Sequence, residues 1–292
     1  MLIYKLSKSS KTFAITLLFV FSTVAQAQDD PWQEYMKHMI YTPRYFGPNA
    51  FPLPELRNGF PDKRWELEVR GEYHTFKGDQ AKDIYARMYA PVAGGRAGFE
   101  ISYIFREYYN MTPETATERH AAGTHWDHGA NGDVIFSSFY NLLKNNKRAG
   151  LLFEASFKTA SGTRLADARY TDAANYWCDL NAGYYLFRSA DSLKFVTLQA
   201  LSGFYCWMTN DIVHRQIDAF LYSGGISGGY KNLTMQADIA GFNGYLNKGD
   251  RPVILRTKLN YEYKNNILSF RYKHGIHDYQ YDTYSLAYIR CF

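Results

Sequence analysis

From Arg64 to its end the chain is a series of strand-like runs of 10 to 15 residues, broken by turn residues. Successive side chains of a strand point to opposite faces, so alternating runs have one apolar and one polar face. Trp65, Leu67, Val69 and Tyr73 alternate with Glu66, Glu68, Arg70 and Glu72. Leu255, Thr257, Leu259 and Tyr261 alternate with Arg256, Lys258, Asn260 and Glu262. The pattern predicts about twelve strands, at 64–78, 82–92, 96–110, 133–144, 149–161, 174–187, 193–208, 214–229, 232–246, 252–264, 266–277 and 281–292. Runs of this length suit a tilted strand crossing a bilayer. A helical membrane protein is excluded, because 21% of residues are charged and mean hydropathy is −0.39. The aromatic content of 17% argues against disorder. A soluble β-sandwich and a membrane β-barrel remain.

Connection lengths separate the two. Short turns follow the second, fourth, sixth, eighth and tenth runs, whereas the longer segments 111–132, 162–173 and 209–213 follow the third, fifth and seventh. Transmembrane barrels have an even strand number, short periplasmic turns and long outer loops. A sandwich has no reason to segregate its loops.

The chain end adds a third signal. Tyr284, Leu286, Tyr288 and the terminal Phe292 place apolar or aromatic residues at alternate positions. This resembles the C-terminal signal of bacterial outer-membrane β-barrels, and the resemblance covers residues 64–292. Arg290 departs from the pattern, at a position where a long side chain can snorkel to the interface. The Tyr-rich strands and aromatic lead-in resemble barrels of Bacteroidota without singling out a family. The resemblance implies an all-β, antiparallel, up-and-down transmembrane barrel in the bacterial outer membrane. Lipids and, during insertion, the barrel-assembly machinery would be its partners.

The N-terminus carries Lys5, Lys8 and Lys11, an apolar stretch from Thr12 to Ala25, and the box Ala25-Gln26-Ala27. These are the three parts of a secretory signal peptide, expected at 1–27. The formal charge of +5 includes those three lysines and no leader acids, so +2 remains. A balance that small predicts no nucleic-acid partner. Residues 28–63 form a lead-in of different texture: six of the nine prolines lie among Trp32, Tyr41, Tyr45, Phe46 and Phe51. Proline forbids a regular ladder, so this segment reads as a periplasmic lead-in or plug. It contains one short helix from Asp30 to about Met39, and residues 28–62 could contact an envelope partner. Gly224, Gly225, Gly228, Gly229, Gly241 and Gly244 could mark where it packs. Cys178 and Cys206 fall on neighbouring strands, leaving a bridge or two free thiols open.

If the polar faces point inward, the lumen holds the acids Glu66, Glu68, Glu72, Glu100, Glu154, Asp179, Asp218, Asp238 and Glu262. It also holds the bases Arg70, Arg87, Arg106, Lys158, Arg256, Lys258, Arg271 and Lys273. Unpaired buried charge is costly, so this near-balance predicts an ion-paired, filled interior. The expected role is therefore a structural or envelope-complex barrel with a closed lumen. A narrow transport barrel for a small solute is the alternative, and an outer-membrane lipid hydrolase a second. The last lacks support, because nothing matches the serine-histidine-asparagine pattern of the outer-membrane phospholipase; Ser137, Ser138 and Ser156 read as ordinary strand residues. His120, His125 and His128, with nearby acids, are weak metal candidates on a loop. Residues 161–173, with two acids and two bases, read as a self-paired surface loop. There is no phosphate-binding glycine loop, and no cofactor is expected.

Overall fold

A computed structural model describes residues 36–125, 129–143 and 146–292. The signal peptide, residues 28–35 with most of the expected short helix, and His128 lie outside the described residues. Among the described residues twelve antiparallel strands close into one barrel, each hydrogen-bonded to its sequence neighbours and β1 to β12. They are β1 (Glu66–Phe76), β2 (Asp79–Val92), β3 (Ala97–Met111), β4 (Val134–Asn141), β5 (Ala149–Lys158), β6 (Asn175–Arg188), β7 (Lys194–Met208), β8 (Gln216–Tyr230), β9 (Leu233–Asn243), β10 (Val253–Tyr263), β11 (Asn266–His277) and β12 (Asp282–Cys291). Closure leaves no unpaired strand edge, which a bilayer would not tolerate.

The alternation sorts as expected over most of the wall. On β1, Glu66, Glu68, Arg70, Glu72 and His74 are buried toward the lumen, while Leu67, Val69 and Tyr73 face outward. On β12, Tyr284, Leu286 and Tyr288 face outward and Thr283, Ser285 and Ala287 inward. Arg290 bonds Asn266 and lies over the Phe292 ring at the barrel end, as an interfacial position allows.

Two residues depart from the expected faces. Arg106 is exposed on the outer wall, because Ile84 pairs with Arg106 but Tyr85 with Ile104, leaving Phe105 as the extra residue of a β-bulge. A bulge shifts the alternation by one, so Glu107 and Tyr109, not Arg106, point inward. Asp218 is also exposed outward, since Ile217 and Ala219 take the inner positions of β8. Cys178 and Cys206 are free; Cys206 pairs across the ladder with Tyr176, two positions from Cys178.

One barrel end carries five short turns, the start of β1 and the end of β12; the short connections 77–78 and 278–281 lie at the opposite end. The other carries the longer loops at 112–133, 159–174, 209–215 and 244–252. The first of these contains a one-and-a-half-turn helix, α1 (Pro113–Glu118), capped by the Thr112 hydroxyl, which accepts from the Thr115 amide.

Residues 36–64 run through the barrel. At the loop end the Asn210 side chain donates to the Met36 carbonyl at 2.7 Å, and the Arg44 amide bonds the Gly249 carbonyl. At the turn end Arg64 pairs with Glu262 at 2.6 Å. Pro48, Pro52 and Pro54 keep the segment from adding a strand. Its carbonyls instead accept from wall side chains: Pro54 from Arg256 at 2.7 Å, Leu56 from Gln236 at 3.0 Å and Pro48 from the Tyr279 hydroxyl at 3.2 Å. The lead-in is thus a lumenal segment, and its Tyr41, Phe46 and Phe51 are buried against the wall.

Candidate functional site: the occupied lumen

The lumen has two unlike halves. Toward the loop end of β6 to β9 the inward positions are largely apolar: Trp177, Leu201, Tyr205, Trp207, Ile217, Leu221 and Phe242 pack with Met39, Tyr41, Phe46, Phe51 and Leu56 of the inner segment. Asp179, Asn181, Gln199, Ser223 and Asp238 are polar inward positions nearer the turn end. Tyr205 stacks on Phe242 at 4.6 Å and Phe51 meets Trp207 edge-on at 5.6 Å. The Trp207 indole donates to the Tyr41 carbonyl at 2.6 Å, giving its polar atom the partner that burial demands. Strict alternation of a polar inner face fails here because the inner segment supplies an apolar surface to bury.

The other half, β10 through β12 and β1 through β5, carries most of the expected charges in paired layers, joined by Asp179 of β6 and Asp238 of β9. Near the turn end Arg87 reaches Glu66 at 2.6 Å, and Glu68 and Glu100 each at 2.9 Å. Arg57 of the inner segment lies 3.2 Å from Glu100 and 3.5 Å from Glu154, and its guanidinium sits over the Phe139 ring. At mid-depth Arg70 bonds Glu68 and Glu72, each at 3.1 Å, while Arg271 bonds Glu68 at 2.9 Å. Lys273 stands 3.9 Å from Glu72, and Arg256 pairs with Asp238 at 2.7 Å. Asp179 bonds the Asn181 amide at 2.5 Å. Glu55, on the inner segment, takes Lys258 at 3.0 Å and Arg271 at 2.8 Å.

The loop end is sealed by groups that the alternation does not reveal. Arg169, from the loop 159–174, is fully buried; it bonds Glu107 at 2.6 Å and also Asp79. Arg119 and the Tyr281 hydroxyl both donate to Asp79, at 2.8 and 2.6 Å. Tyr170 donates to Glu107 at 2.8 Å, and Asn49 of the inner segment bonds Glu107 at 3.0 Å and Asp83 at 2.7 Å. Burial disfavours charge on Arg169, but Asp79 and Glu107 more than offset it and hold the guanidinium's pKa well above its ordinary value. Lys158 reaches down from β5 to Asp133. Two of the loop's charges therefore reach the wall: Asp167 accepts from Tyr109 and Arg169 neutralises two wall acids.

His128 lies outside the described residues, and His120 and His125 belong to no three-ligand cluster among the described residues. His120 lies beside His38, ring centroids 6.0 Å apart, and His125 bridges to Asn110. Glu72, His74 and Asp83 bring ligand-type atoms within 4.8 Å of one another. Yet both His74 nitrogens are engaged, with Asp83 and Thr283 at 2.8 Å each, and Glu72 is taken by Arg70 and Ser285. That arrangement works as a polar tie between strands. Ser156 donates to Glu154 at 2.9 Å and shares a bond with the Ser137 hydroxyl at 2.7 Å within the lumen.

Between the inner segment and the charged half lies a cavity of about 350 Å³, lined among others by Glu55, Arg70, Lys258, Arg271 and Lys273. Its turn-end neighbours Arg64 and Glu262 have side chains 38% and 40% exposed, whereas Arg169 at the loop end is fully buried.

No family model and no curated protein matches the chain. Solved structures do. The COG4313 outer membrane channel from Pseudomonas putida F1 is 11% identical with a TM-score of 0.55, over 84% of this chain and 98% of that one. The KdgM porin in complex with disordered oligogalacturonate and the NanC porin are each 11% identical with TM-scores of 0.50, over 77% of this chain and 99% of theirs. At such identity the likeness is one of fold. That fold, with exposed apolar side chains on the outer face of every strand, is that of a bacterial outer-membrane β-barrel, and the outer membrane is where this protein resides.

Proposed function

We propose that the protein is a narrow transport channel for a small polar solute, with residues 36–64 as its resident plug. The cavity of about 350 Å³ beside the plug carries this reading. Its size lies at the lower end of small-molecule sites, which run from roughly 300 to 1,000 Å³. The solved structures that share the fold are described as a channel and as porins, which supports transport over a structural role.

The mode of plugging agrees. The plug adds no strand to the barrel and is held by side chains: an aromatic latch on β6 to β9 and ion pairs on the charged half. It can shift without breaking the ladder that keeps the wall closed. The ion-paired interior expected from sequence is, on this reading, the resting state of a channel.

Recordings in planar bilayers test the proposal. The wild-type protein should show low, intermittent conductance, and the double variant Phe51→Ala/Trp207→Ala should raise the open fraction severalfold. Solute added at millimolar concentration should reduce the current. A silent wild type together with a silent latch variant, both correctly inserted, would instead establish a closed structural barrel.

A further inference from the structure

We infer that Glu55 is a tethered stand-in for the solute, occupying a site that takes small carboxylate-bearing molecules. The inference deepens the channel reading and rests on it. Three wall cations converge on the Glu55 carboxylate: Lys258 at 3.0 Å, Arg271 at 2.8 Å and Arg70 at 3.9 Å. Two of them are held in place independently of Glu55. Arg271 is fixed by Glu68 at 2.9 Å, and Arg70 by Glu68 and Glu72 at 3.1 Å, so the cations form a prepared cradle. The Arg70 guanidinium also lies over the Tyr85 ring, 3.8 Å from its centroid, which holds it further in place.

Burial differs sharply across the contact. The Arg70 and Arg271 side chains are each 11% exposed, and that of Glu55 is 46% exposed, facing the cavity. The carboxylate thus sits at the boundary between a fixed cationic wall and open volume, where an incoming anion would meet the same cations. The backbone on either side of Glu55 is anchored separately, through the Pro54 and Leu56 carbonyls, so the carboxylate can be exchanged without unseating the plug. Withdrawing Glu55 leaves Arg70, Arg271, Lys258 and Lys273 against Glu68, which Arg87 also shares, Glu72 and, for Lys273, Asp83, a local surplus of positive charge. A surplus so enclosed favours a replacement anion, and guanidinium and ammonium donors match a carboxylate's geometry. Covalently attached, Glu55 competes at an effective concentration in the millimolar range, so it masks the site against dilute solute.

Calorimetric binding of sodium glucuronate to the purified, folded protein in detergent micelles tests this, with glucose as the neutral control. Glu55→Gln should bind glucuronate at least about tenfold more tightly than wild type, with glucose binding neither. Adding Lys258→Gln and Arg271→Gln to Glu55→Gln should abolish the gain. Should Glu55→Gln fail to fold, judged by loss of heat-modifiable gel mobility, Glu55→Asp retains the charge on a shorter arm and should bind with intermediate affinity. Equal glucuronate affinity in wild type and the Glu55 variant, or a gain for glucose as large as for glucuronate, overturns the inference. Conductance without glucuronate binding removes the carboxylate site and leaves the channel standing. Binding by Glu55→Gln in a protein that never conducts removes the channel and leaves the site standing.

Discussion

Single positions decide how closely the plug fits. A Cβ added at Gly183 would lie 1.9 Å from the Asn58 carbonyl oxygen, and one at Gly150 would meet the Gly59 backbone at 2.6 Å. Gly59 itself has φ of 78°, a conformation that favours glycine. Three glycines therefore let the plug backbone lie directly on β5 and β6. Gly183→Ala should displace it and cost roughly 1–3 kcal/mol, the range of overpacking. A lowered midpoint of heat-modifiable mobility would register that cost; an unchanged midpoint would mean that the contact is not made. This contact also shows what the sequence conceals. Gly224 and Gly225, which the sequence offers as the packing site, meet respectively open space and the neighbouring strand. Glycine announces that some backbone approaches closely, never which one. Arg106 and Asp218 teach the same lesson about parity, since one unrecorded bulge at Phe105 exchanges Arg106 for Glu107 at the lumen. By that exchange Arg106→Ala should leave stability within about 0.5 kcal/mol, as for an outward surface residue.

Among the elements, strands were legible and loops were not. Each strand carries its own evidence in a two-residue period, so all twelve appear within a few residues of their observed bounds. The loop 159–174 carries no period, and its partners Asp79 and Glu107 stand 90 and 62 residues away from Arg169. Local charge balance suggests self-pairing; the fold directs Asp167 and Arg169 to closing the loop end. Arg169→Ala would leave Asp79 and Glu107 buried with less neutralisation, a change that typically costs about 3–5 kcal/mol. Protease nicking on intact cells should then appear within 159–174, with the barrel still inserted. Arg169→Lys, able to meet one acid but not two, should fall between. If Arg169→Ala is as resistant as wild type, the loop is held by its other contacts, among them Asp167 with Tyr109 and Tyr170 with Glu107. The half-apolar lumen was hidden for a related reason: β7 places Leu201, Tyr205 and Trp207 inward because the plug's Phe46 and Phe51 meet them, a pairing that spans more than 150 residues.

Across the whole molecule, the course of the plug fixes a topology that the strand pattern alone leaves open. Outer-membrane barrels keep their short turns in the periplasm. The end of this barrel with the loops 112–133 and 159–174 therefore faces outward. Residue 36 is held at that outer end by Asn210, and Arg64 at the periplasmic end by Glu262. The chain thus descends through its own lumen before β1 begins. His38 and Lys264 are both exposed, at opposite ends of the molecule. A membrane-impermeant maleimide should label His38→Cys on intact cells, above the background of the three natural cysteines. Lys264→Cys, in the β10–β11 turn, should react only after the outer membrane is permeabilised. The reverse order would invert the barrel, whereas protection of both until permeabilisation would place the plug's N-terminal end in the periplasm. Because the three natural thiols are buried or lie on the outer wall, a positive result at His38 requires the segment to have passed through the barrel, which is the arrangement that gating by displacement needs.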